Sequence, residues 1–172
     1  MNSSYVKLIG QSVLLLVLQV VVFRNLALFD LAFCFVYVAV LLFLPVDAGR
    51  IFVLMLAFLL GVFIDAFYNS LGIHAAALVF TAYVRYYWLN AITPQGGYDA
   101  NSTLTLSNQG LQWFSTYALP IIFIHHFMLF FVEAGGFSHF GFTFIKALLS
   151  SLFTFFVIVI IQILFFSRKK GL

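Results

Sequence analysis

An all-α polytopic membrane protein with six transmembrane helices is what this sequence predicts, on three observations. Of its 172 residues 65% are hydrophobic and only 8% charged, against about 45–50% and 25% in average soluble domains. The apolar residues fall into runs long enough for a helix to cross about 30 Å of hydrocarbon. Those runs are apolar on nearly every face and lack the alternation of barrel strands, so helices must satisfy their backbones.

The runs lie at about 6–23, 27–45, 51–68, 71–89, 113–133 and 143–167, and together they make residues 1–172 a single transmembrane domain. The first follows Lys7 as a signal peptide would, yet ends in Phe23-Arg24-Asn25 without a small-x-small cleavage site, so it reads as a retained helix. The second holds Cys34, the sole cysteine, which excludes an internal disulfide and reads as a small buried hydrophobe. The fifth is interrupted by Pro120 and carries His125-His126. No repeat and no pair of matching broken helices points to an inverted-repeat transporter.

An even number of spans puts both termini on one side. Placing them in the cytoplasm puts Lys7, Arg50, Arg85, Arg168, Lys169 and Lys170 there and only Arg24 and Lys146 outside, six against two, as the positive-inside rule asks. The terminal Arg168-Lys169-Lys170 cluster suits acidic lipid at the cytoplasmic face better than nucleic acid, because the other cations are scattered singly. Tyr86, Tyr87 and Trp88 beside Arg85, with Trp113 and Tyr117, resemble an interfacial belt. The polar stretch 90–112 is then a cytoplasmic loop, a connector or a docking loop, in which the sequon Asn101-Ser102-Thr103 would never meet the glycosylation machinery.

Among so many apolar residues, the stretch FLLGVFIDAFYNSLGIHAAAL from Phe58 to Leu78 stands out. Asp65 falls about 21 Å along the third helix, in the outer half of the bilayer, where an acid costs less than the roughly 2.5–3.5 kcal/mol of the midplane. A tight turn follows, in which Ser70 can cap the fourth helix and Gly72 permits close approach, and His74 enters that helix's first turn. Asp65 can therefore reach the free N–H groups that open the fourth span or His74 itself, clasping the hairpin. Ala57 and Gly61, and Gly72 and Ala76, are spaced four apart, as close helix packing in lipid requires. A structural clasp, a partner-binding site and a proton or ion site all fit these residues.

Other chemistry has less to stand on. His125 and His126 point about 100° apart on a helix and lack an acidic or cysteine ligand one turn away, so neither haem nor metal is expected. Few acids lie in or near the spans, Asp65 and Glu133 among them, and neither a nucleophile elbow nor a phosphate loop occurs. The chain reads as non-enzymatic and free of cofactors. Gln11, Gln19, Asp65, His74 and Gln162 are the polar groups available to a ligand pocket.

Leu60-Gly61-Val62-Phe63-Ile64-Asp65, the turn with Gly72 and the small residues Ala75 to Ala77 resemble the signature of the MreD family, the rod shape-determining proteins of the bacterial inner membrane. The size, span count and short basic tail agree. That resemblance implies a scaffold that binds the single-span protein MreC. It also implies coupling of the actin-like MreB filament to the RodA glycosyltransferase and its penicillin-binding transpeptidase, in a complex that maintains cell shape. It implies a fold similar to the S component of energy-coupling-factor transporters, and it carries over no catalytic residue, only Gly61, Asp65 and Gly72. A vitamin-binding S component is the alternative, although the first span, LIGQSVLLLVLQVVVF, lacks the Ala-x-x-x-Ala face typical of such proteins.

Overall fold

In the computed structural model, which describes residues 3–98 and 103–166, helices form at five of the six predicted spans. They are α1 (Ser3–Val21), α3 (Arg50–Tyr68), α4 (Ile73–Ala91), α6 (Leu111–Glu133) and α7 (Phe140–Ile161), the last ending in a wide π turn, Gln162–Phe166. The stretches Arg50–Tyr68, Leu111–Glu133 and Phe140–Phe165 are long and apolar enough to cross a membrane, and Val6–Val21 is a shorter apolar helix. Both the Arg168-Lys169-Lys170 cluster and Asn101-Ser102 of the sequon lie outside the described residues. Pro120 does not interrupt α6, which is continuous through it; proline is tolerated in such helices because neighbouring groups satisfy the backbone it frees.

The second span is the exception. Instead of a helix over 27–45, the chain makes a two-stranded hairpin, β1 (Ala27–Leu28) against β2 (Ala32–Phe33), runs extended to Phe35, and then coils through Val36–Val38 into the single turn α2 (Ala39–Leu42). Every residue from Cys34 to Leu44 is 5% exposed or less. Its start touches Ser150 of α7 and its end touches Arg85 of α4 and Tyr117 of α6. The segment thus threads the bundle from one end to the other through its centre. A continuous apolar run buried on all sides has no periodicity to separate strand from helix, which is why the sequence misleads here.

Around this thread, α3 packs on α4, α4 on α6 and α6 on α7. The α3–α4 contact is the closest. A Cβ placed on Gly61 would lie 2.2 Å from the Ala75 Cα and 2.6 Å from its nitrogen, so only glycine admits the crossing. The small-residue expectation is corrected in detail: Gly61 faces Ala75, whereas Ala76 is exposed and Gly72 has open space around its α-carbon. Gly72 is needed for its backbone instead, since its φ of +85° is a conformation that L side chains rarely adopt. Nor is the 90–112 loop a bare connector in its described part. Leu104 is fully buried, and the short helix α5 (Leu106–Gln109) is tied down by the Leu106 amide donating to Gln162 Oε1 at 2.8 Å.

Candidate functional site

Polar side chains in the spans converge in two places, both set by the folding of the backbone. At the α3–α4 turn, α3 ends on Asn69 in the left-handed conformation and α4 begins after Gly72, also left-handed. That geometry brings the opening amides of α4 back over Asp65, one turn from the end of α3. His74 N donates to Oδ1 at 3.0 Å, Ala75 N donates to Oδ2 at 3.0 Å, and Ser70 Oγ donates to Oδ1 at 2.5 Å. Asp65 is 6% exposed. The carboxylate therefore caps a helix that is not its own, where amide donors and the helix dipole both favour negative charge. Hydrogen bonds to a charged group contribute about 1.5–3 kcal/mol each, enough together to offset the insertion cost of the acid.

Of the two partners open to Asp65, the backbone is the one engaged. Ser70 serves the carboxylate rather than capping α4 directly, and the His74 imidazole turns to the interior, where its Nδ1 lies 2.6 Å from the Tyr37 hydroxyl. Tyr37 sits on the threaded segment, and its oxygen is also 3.0 Å from His125 Nε2. One hydroxyl carries one proton, so Tyr37 donates to one histidine and accepts from the other.

The threaded segment would leave its backbone groups unpaired in the apolar interior, which is tolerated only where the surrounding protein supplies partners. Here the bundle supplies them. Ser150 Oγ accepts from Phe33 N at 2.9 Å and Thr154 Oγ1 accepts from Phe35 N at 3.0 Å. Gln19 is used completely: its amide nitrogen donates to Cys34 O and to the Tyr68 hydroxyl, and its oxygen accepts from Tyr37 N. His126 Nδ1 faces the Ile122 carbonyl at 2.8 Å and must carry the proton, so Nε2 accepts from the Thr154 hydroxyl 3.1 Å away. At the far end, Arg85 Nη2 donates to Leu44 O and Arg85 Nε to the Tyr117 hydroxyl, each at 2.7 Å, and Tyr117 donates on to Leu42 O.

The five predicted site residues thus fall on one hairpin, and the structure brings Asp65, Ser70 and the His74 backbone into contact there. Gly61 and Gly72 shape the hairpin without touching the carboxylate. His125 and His126, set aside as poor ligands, join the interior network together with Tyr37, Thr154 and Ser150, none of which the sequence singled out. A signal existed: Ser150, Ser151 and Thr154 stand at i, i+1 and i+4 on α7, on one face with Ala147, inside an otherwise apolar run. Gln162 is buried and Gln11 is half-buried. Arg85, expected among the cytoplasmic cations, is 3% exposed and works as a donor to the thread. Among the described residues no three His, Cys, Asp or Glu side chains gather as a metal site would require.

No protein-family model, curated protein or solved structure matches this chain.

Proposed function

We propose that the protein is a non-enzymatic scaffold of the MreD type in the bacterial inner membrane. In this reading the chain crosses the bilayer six times with both termini cytoplasmic, the second crossing being the threaded segment. It binds an MreC-type single-span protein and helps to organise peptidoglycan synthesis and cell shape, with RodA, a penicillin-binding transpeptidase and MreB as further members of the assembly. The observation that carries the reading is the occupation of the bundle's centre by the chain's own residues 34–44. Gln19, Thr154, Tyr117 and Arg85 spend their hydrogen bonds on holding that segment. A bundle filled in this way has its outer helix faces left for recognition, by shape and by close small-residue contact. The resemblance around Gly61 and Asp65 supplies the family.

One observation favours the vitamin-binding alternative. His125 is fully buried and its Nδ1 has no partner among the described residues. A small polar molecule beside it would find Tyr37 and His74 already converging there.

Affinity purification in mild detergent, with identification of the co-purifying proteins, separates the two. Recovery of a single-span protein with a periplasmic coiled coil supports the scaffold. Recovery of ATPase subunits instead overturns it in favour of vitamin uptake.

A further inference from the structure

The bundle end that carries Arg85 holds a feature that the scaffold reading does not use. A cavity of about 270 Å³ lies between the start of α3 and the second half of α4, lined by Arg50, Ile51, Ala82, Arg85, Tyr86 and Asn90 among others. Two of those residues are cations, and among the described residues neither has a carboxylate within 4 Å, the ion pair being Lys146–Glu133 elsewhere. Arg85 is almost wholly buried, and its three contacts use Nε and Nη2 on neutral oxygens, leaving Nη1 without a partner among the described residues. Arg50 lies against the Tyr86 ring, its guanidinium carbon 3.2 Å from the centroid, and also hydrogen-bonds the Tyr86 side chain, which holds the guanidinium in place while leaving most of its five N–H donors available. A largely buried guanidinium without a counter-ion favours an anion in the cavity, and a planar guanidinium fork matches a phosphate or a carboxylate with two parallel hydrogen bonds.

The surroundings say where that anion comes from. Ile51 and Tyr83, on the rim, are 75% and 53% exposed on helices with apolar outer faces, so the cavity sits on the surface that meets lipid. The cavity reaches Arg50, the first residue of α3, and Asn90, one residue before the end of α4, so it extends to the helix ends, where headgroup phosphates would stand, with Arg85 about 9 Å deeper at 1.5 Å per residue. The volume falls below the roughly 300–1,000 Å³ of pockets that enclose a whole drug-sized ligand. A phosphate and its glycerol would fit in that volume, with the acyl chains left outside it.

We infer that the Arg50–Arg85 cavity binds the phosphate of an anionic phospholipid. The inference rests on the chain lying in a bilayer and not on the identity of any protein partner. Its test uses the full-length protein in mild detergent, equilibrated with equal amounts of phosphatidylglycerol and phosphatidylcholine of identical chains, the retained lipid being measured by mass spectrometry. About tenfold enrichment of the anionic lipid is expected, as one charge-assisted contact implies. Arg50→Gln should bring the ratio close to parity, Arg50→Lys should leave it in between, and Lys146→Gln at the opposite end should not change it. Arg85 is left intact because it holds the thread. Equal retention of both lipids by the unaltered protein, or enrichment that survives Arg50→Gln, overturns the inference. Retention of added inorganic phosphate without enrichment of the anionic lipid keeps the oxyanion chemistry but overturns the lipid as its source.

Discussion

Single residues in this protein carry more than their side chains suggest. Asp65 accepts from two amides and a hydroxyl, and replacing it with leucine strands all three donors. It also removes the acid's own insertion cost, so the net loss is about 2 kcal/mol rather than the sum of the lost bonds. Asp65→Asn keeps the Oδ1 acceptor but turns an NH₂ group toward one of the amides, and should cost about half as much. Reversible unfolding in mixed micelles measures both; equal stability of the leucine variant would remove the clasp from the account. Gly61 gives a sharper contrast. Gly61→Ala drives a methyl into the Ala75 backbone and should cost about 3 kcal/mol, whereas Gly10→Ala on α1, with nothing within 4 Å, should be neutral or stabilising by up to about 1 kcal/mol. Identical effects of the two substitutions would contradict the close α3–α4 crossing.

At the scale of elements, the helices are legible in the sequence and the thread is not. The runs over 51–68 and 71–89 lie within about two residues of α3 and α4, because Asn69 and Gly72 punctuate them with left-handed turns. Asp65 was legible for the same reason: an isolated acid next to a turn has few ways to be satisfied. Residues 33–44 gave no comparable cue, since their partners include Gln19, Tyr117, Ser150 and Thr154, distant in sequence and unremarkable one at a time. Arg85 shows the same limit: a cation near a helix end reads as interfacial, and its burial against two main-chain carbonyls is a tertiary fact that no local pattern carries. The thread makes its own prediction. Thr154→Val preserves shape but removes the acceptor of Phe35 N and the donor to His126, and should cost about 1–3 kcal/mol. Ser12→Ala, which deletes only a bond back to its own helix at Leu8 O, should cost far less in the same unfolding assay.

At the scale of the whole molecule, the bundle is built round its own buried thread, with polar groups turned inward to hold it and apolar helix faces turned outward. If the scaffold reading is right, Asp65→Leu and Gly61→Ala should lower recovery of the single-span partner in proportion to their loss of stability, which co-purification at matched expression measures. Recovery that is unchanged while stability falls would place the contact face away from the α3–α4 hairpin. The central claim, that the bundle's polar side chains satisfy the threaded backbone, is tested most directly by hydrogen–deuterium exchange resolved to single amides in the full-length protein. The account predicts that Phe33, Phe35 and Tyr37 exchange as slowly as the middle of α6, and that Thr154→Val accelerates Phe35 while leaving α6 protected. Rapid exchange across 33–44 in the unaltered protein, or no change at Phe35 in the variant, would contradict it.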